Sequence, residues 1–365
     1  MSGRTSETIH QRRCCQNPKG NNLQTYERPN KGLHKKNSIQ RRQFLKLLYY
    51  QTLIGGLFFF IIACVHYIPA FAEYKEKSEW FLNVQYINAD GLSHAGYRDF
   101  ALVASSFAVI LLVRSLVQLL LFAYASHRHN LPLKSLIRFT EQGWSFIYYG
   151  STAFYGWKLL YQQPYGWDAA SLWVDFPHYY IDPRVKQYYL FIFGHWISQI
   201  AIIHLEERRS DHYQMLTHHF VTCALVWGSY SYGYTRIGHL VMIMMDFVDS
   251  WLAIAKCSKY LNMPKVLTDS LFAAFIFTWI LFRHFVYMYE MLYGMIYAPA
   301  LLEGKCAYDA AGKAVLCYSQ TAHRVCAVLT IALQIITLVW LWMIIKVVLR
   351  VVNGQGAADT RSDEE

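Results

Sequence analysis

The stretch that decides the fold runs from residue 204 to residue 260: HLEERRSDHYQMLTHHFVTCALVWGSYSYGYTRIGHLVMIMMDFVDSWLAIAKCSKY. It opens on a charged turn, Glu206 to Asp211, and enters an apolar run that carries two adjacent histidines, His218 and His219. A second apolar run follows, with Asp246 and Asp249 inside it and Lys256 at its exit. Ionisable side chains are costly in a hydrocarbon-spanning helix and persist mainly where they act. Four of them in two consecutive spans make this stretch the chemical centre of a membrane-embedded helix pair. Histidines beside carboxylates suit acid–base or nucleophilic work.

Working outward, the rest of the chain has the composition of a membrane protein. Of its 365 residues 55% are hydrophobic and only 16% charged, where a soluble domain carries about 25% charged residues. Long uncharged runs recur along it, each of a length that crosses a bilayer. The formal net charge of +10 gathers in the first 46 residues and in alternate loops. That distribution reads as membrane topology and contact with anionic lipid, not as nucleic-acid binding.

The expected fold is all-α, a polytopic bundle of about eight transmembrane helices. The spans fall near 47–71, 100–125, 141–162, 187–205, 215–233, 238–256, 266–290 and 324–346. Arg114 inside the second span reads as a satisfied structural ion. The loop 163–185, rich in Trp and Tyr, suits an interfacial aromatic belt. Loops bearing Lys and Arg alternate with loops that are balanced, acidic or nearly uncharged, which sets both termini on the cytosolic side. Four segments follow: a disordered basic arm over 1–46, a two-helix segment over 47–133, a catalytic membrane domain over 134–350 and an acidic tail over 351–365.

Helix periodicity orients the central residues. Met242, Asp246, Asp249, Ala253 and Lys256 recur at three- and four-residue intervals and share one stripe. His218, Thr222, Leu225 and Ser229 form a similar stripe on the preceding span. At about 1.5 Å of rise per residue, His218 and Asp249 each lie roughly 10 Å in from the cytosolic helix ends. His219 is rotated about 100° from His218, so His218 is expected to meet the substrate and His219 to support it, although the order is open to reversal. A metal site of two His and two Asp is disfavoured, because helical metal sites use i, i+3 or i, i+4 spacing. The eight cysteines include no C-x-x-C pair, which argues against zinc. Cys64, Cys223, Cys257 and Cys326 read as packing residues.

The run from His218 to Lys256 resembles the ceramide synthase signature, HH followed by D-x-x-D and a final AK. The elements LEERRSDH and LWVDFPHYYIDPRVKQYYL are similar to the fungal branch of that family. The resemblance covers residues 134 to 350, the family's TLC domain, preceded here by two additional spans. It implies N-acylation of a sphingoid long-chain base by a fatty acyl-CoA in the endoplasmic reticulum membrane. His218, His219, Asp246 and Asp249 would be catalytic, with the two aspartates holding the histidines. Lys256 would hold the CoA head group at a mouth shared with Arg208, Arg209 and Lys259. No cofactor is implied, since acyl-CoA is a substrate. Expected partners are the sphingoid base, membrane lipids and either a small accessory membrane subunit or a second copy in a homo- or heterodimer. Two alternatives stand beside this reading: a non-catalytic TLC-domain protein that binds lipid or attends a translocon, and a membrane acyltransferase acting on a sterol or glycerolipid.

The derived topology makes the 297–322 loop lumenal, so a Cys306–Cys317 disulfide is expected there. Ser362, followed by Asp363, Glu364 and Glu365, suits an acidophilic kinase. Cys14 and Cys15 read as free cytosolic thiols, with acylation as the alternative.

Overall fold

The computed structural model describes residues 31–353, apart from Trp167, Ala169, Glu207 and Arg209. The first 30 residues, with Cys14 and Cys15, and the tail beyond residue 353, with Ser362, lie outside the described residues. The chain forms α1 (Lys31–Tyr67), α2 (Lys75–Leu82), α3 (Asp99–Arg128), α4 (Leu133–Tyr161), α5 (Pro183–Leu205), α6 (His212–Ser231), α7 (Thr235–Tyr260), α8 (Lys265–Ile280), α9 (Tyr287–Ile296) and α10 (Ala298–Leu302). The hairpin β1 (Cys306–Tyr308) and β2 (Ala314–Cys317) and the long α11 (Gln320–Val352) complete it. A six-residue π-helical segment, Leu281–Val286, joins α8 to α9.

Each expected span coincides with helix, and the all-α bundle stands. Among the described residues, six helical segments are long and apolar enough to cross a membrane: Lys36–Tyr67, Asp99–Arg128, Pro183–Leu205, Thr235–Tyr260, Lys265–Met291 and Gln320–Arg350. α4 and α6, the expected third and fifth spans, are not among them. Arg138, Glu141 and Gln142 on α4, and His212, Gln214, His218 and His219 on α6, dilute their apolar content. α1 begins at Lys31, well before the expected start at 47. The Lys, Gln and Arg residues there are good helix formers, so the lack of apolar periodicity did not reveal the helix.

α7 is the central helix, with α4 along one side, α8 on another and α6 beside it. Gly156 permits the close α4–α7 approach. A Cβ there would lie 2.6 Å from both the Ile243 Cγ1 and the Tyr188 hydroxyl oxygen. α5 starts where sequence rules place it, with Asp182 accepting from the Arg184 amide (2.8 Å) and Pro183 in the first turn.

Several of the buried charges are paired. Lys186 and Asp99, both fully buried, form an ion pair of 2.8 Å. Lys186 also donates to the carbonyls of Gln85 and His94, and Asp99 accepts from the Tyr230 hydroxyl (2.7 Å) and the Gly96 amide (2.8 Å). Arg114 donates to Gln51 (2.8 Å) and Glu206, in keeping with a structural ion. In the aromatic loop Trp173 departs from the expected interfacial belt, whereas Tyr179 and Tyr180 stay half-exposed. Leu172, Trp173 and Phe176 turn inward and join the main hydrophobic core, because the loop folds back over the ends of α7 and α9. His178 in that loop is buried and hydrogen-bonded to the Val174 carbonyl (2.9 Å). Burial, helped by the Arg236 charge, pushes its pKa down to about 4.

Cys306 and Cys317 are joined in a disulfide across the facing ends of β1 and β2. Cys64, Cys223, Cys257 and Cys326 are free and half-buried.

Candidate active site

α6 and α7 run in opposite directions and present their polar stripes to the same interior space. His218, Thr222, Leu225 and Ser229 line one wall of a cavity of about 1120 Å³, and Met242, Asp246 and Asp249 line another. α9 and α11 close it with Glu290, His323 and mostly apolar side chains. A second cavity of about 1580 Å³ lies beside the first. Its lining includes His218, His219, Asp249, Ala253, Lys256 and Lys259. The stripe of α7 therefore runs through both chambers, Met242 and Asp246 in the apolar one, Ala253 and Lys256 in the basic one, Asp249 in both.

Four residues line both chambers: Trp196, His218, Asp249 and Arg283. They form the junction. The His218 ring is gripped edge-on by Trp340 (5.0 Å between centroids) and Trp196 (5.3 Å). Its Nδ1 lies 3.5 Å from the Thr222 hydroxyl, one turn on. His219 is buried, lines the basic chamber alone and packs on Trp196 (5.5 Å).

The aspartates are held, but not by the histidines. Asp246 is buried and accepts a hydrogen bond of 2.6 Å from Thr152 on α4. Asp249 forms an ion pair of 2.7 Å with Arg283 in the π segment. Among the described residues neither histidine bonds a carboxylate, so the expected carboxylate–imidazole contacts are replaced by Thr152 and Arg283. Interhelical partners of this kind cannot be read from spacing within one helix. Arg283 had a signal, since it is an ionisable residue inside an apolar span and the rule that singled out Arg114 applies to it equally. The same holds for Glu290, a buried carboxylate on the apolar chamber wall. Lys256 and Lys259 share the mouth of the second chamber with Asp269. Arg209, named for that mouth, is outside the described residues.

The arrangement offers an imidazole at a constriction between an apolar chamber and one with basic groups at its edge. A buried carboxylate (Asp246), a half-buried one (Asp249) and a guanidinium stand beside it. Such a site can bring the reactive end of a long-chain lipid derivative to a nucleophile or base while its chain stays out of water.

Comparison with known proteins agrees. A TLC domain matches residues 138–346. The chain is 33% identical over 303 residues to the sphingosine N-acyltransferase lag1 of Schizosaccharomyces pombe, covering 81% of this chain and 75% of that protein. The chain belongs to the TLC-domain ceramide synthase family. It is also 30% identical to the sphingosine N-acyltransferase-like protein ALT7 of Alternaria alternata, over 77% of this chain and 70% of that protein. The ceramide synthase FUM18 of Gibberella moniliformis is 29% identical, over 88% and 79%. The matched TLC domain contains every residue of the junction, whereas α1 to α3 precede it.

Proposed function

We propose that this chain is a ceramide synthase that transfers a fatty acyl group from acyl-CoA to the amine of a sphingoid long-chain base. The observation that carries the reading is the junction itself, an imidazole reached from an apolar chamber on one side and a Lys-edged chamber on the other. A long acyl chain suits the first. The anionic CoA head group suits the second, where Lys256 and Lys259 offer phosphate partners.

In this reading His218 works at the thioester carbon. It either attacks it, carrying the acyl group as an acyl-imidazole, or takes the proton from the attacking amine. The C–S bond breaks, CoA leaves as the thiol and the amide forms. Asp246 and Asp249 supply negative charge that favours an imidazolium or a substrate ammonium nearby. His219 lines the wall behind His218 and supports it. No cofactor beyond the two substrates is needed. The setting is the endoplasmic reticulum membrane with both termini cytosolic. The positive-inside pattern supports that orientation, and the disulfide suits a loop facing the oxidising side. A small accessory membrane subunit or a second copy of the chain completes the assembly.

The test is acyl transfer by purified protein, read by product mass, with a sphingoid base and a sterol offered as competing acceptors. Product from the base alone, lost in a folded His218→Ala variant, is the expected result. Near-normal turnover by His218→Ala, or a preference for the sterol, ends the reading.

A further inference from the structure

Acyl transfer needs a group that the roles above do not supply. When the thioester carbonyl becomes tetrahedral, its oxygen gains charge, and a preorganised donor facing it is often the largest single contribution to the rate. Main-chain amides cannot serve at this level. They lie inside α6, α7 and the π segment, where the helix already uses them. The donor must be a side chain at the junction. Of the four residues there, His218 is assigned, Asp249 is an acceptor and Trp196 offers one neutral N–H. Arg283 offers a charged fork.

Arg283 is built for such a role. Its side chain is only 4% exposed. The guanidinium lies 4.1 Å from the Trp279 ring centroid. Its Nη2 faces Asp249 (2.7 Å) and donates to the Met245 carbonyl (3.2 Å). Those contacts fix the plane of the group and leave donors over. Among the described residues, Nε is buried and has no acceptor, a costly state for an N–H in a dry wall. The residue also stands in the π segment, and such segments are rare and frequent at functional sites. Arg283 lines both chambers, so a ligand oxygen at the junction can meet a guanidinium donor that these contacts leave over.

Resting on the acyl-transfer reading above, we infer that Arg283 is a catalytic residue that donates to the acyl carbonyl oxygen. As nitrogen bonds to the thioester carbon, the carbonyl π pair moves onto that oxygen and Arg283 holds it. The pair then returns, the C–S bond breaks, and CoA departs with the proton released by the amine. Asp249 is the positioning residue that keeps the fork aimed.

The test pairs a residue change with a change in the oxygen it is said to bind. Purified wild type, Arg283→Lys and Trp196→Phe are given a natural thioester and the matching dithioester of CoA, whose C=S is a weak acceptor. On the thioester, Arg283→Lys is expected to lower kcat about 100-fold while KM for acyl-CoA moves little. On the dithioester, wild type and Arg283→Lys are expected to converge. An equal loss on both substrates shows that Arg283 acts only as the partner of Asp249 and overturns the inference. A substrate-dependent loss in Trp196→Phe instead gives the role to the indole and overturns it too. Should Arg283→Lys not fold, Arg283→Gln, which keeps a neutral donor in place, carries the same comparison. If the wild type transfers no acyl group to a sphingoid base, the functional reading itself fails and takes this inference with it.

Discussion

Two ion pairs in this bundle, each with a buried cation, are furnished in opposite ways. Lys186 uses its ammonium on Asp99 and two carbonyls, and Asp99 accepts from Tyr230 and Gly96 as well. An ammonium has three protons to give, so nothing is left for a ligand. Arg283 is nearly as buried, yet among the described residues its polar contacts run through one nitrogen and leave Nε unmatched. The first pair faces core on all sides. The second faces two chambers. A buried pair whose cation has no donor left is architecture, whereas one whose cation keeps a donor beside a cavity is set up to take a further partner.

The comparison breaks most easily at Lys186. Lys186→Met leaves Asp99 buried without its cation, and a loss of about 3–5 kcal/mol is expected, read as a large fall in thermal midpoint. An unchanged midpoint contradicts the structural assignment. A third buried group, His178, sharpens the contrast from outside the spans. Its folded pKa of about 4 lies below the unfolded value. Between about pH 6.5 and 4 the unfolded chain therefore binds a proton that the folded chain refuses. Stability is flat above that window and falls as pH drops through it, by up to roughly 3 kcal/mol. His178→Gln is expected to remove that part of the slope in pH-dependent melting.

Arg283→Met should cost less stability than Lys186→Met, about 1–2 kcal/mol, because Asp249 keeps access to the cavity and finds water. A greater loss at Arg283 than at Lys186 inverts the comparison. The smallest effect is a gain. Glu290 is buried, faces the apolar chamber and makes no hydrogen bond or ion pair among the described residues. Glu290→Leu is expected to raise stability by about 1 kcal/mol, seen as a modest rise in midpoint. A fall would mean that the carboxylate has a partner in the membrane.

Much of this was legible in the residues, and the physics says where legibility stops. The spans were readable because hydrocarbon demands long apolar helices, and the stripes because a helix repeats every 3.6 residues. Charge asymmetry across the loops led to the Cys306–Cys317 pairing. The sequence did not reveal which helix faces which. Thr152 and Asp246 lie far apart in the chain and meet only because Gly156 lets α4 close on α7. Arg283 was overlooked because the apolar run around it is long, although its charge was a signal. Trp173 departs from the expected belt because Trp and Tyr favour interfaces and cores alike, and its burial depends on a tertiary fold-back.

The hairpin crosslink has a practical consequence for anyone preparing this protein. A host that makes it in reducing cytosol would deliver the chain with Cys306 and Cys317 apart, and the β1–β2 turn beside Tyr318 and His323 would lose its covalent tie. Activity compared across expression systems would then compare two covalent species. Thiol titration, looking for two fewer reactive sulfurs than the eight cysteines provide, belongs at the start of any purification.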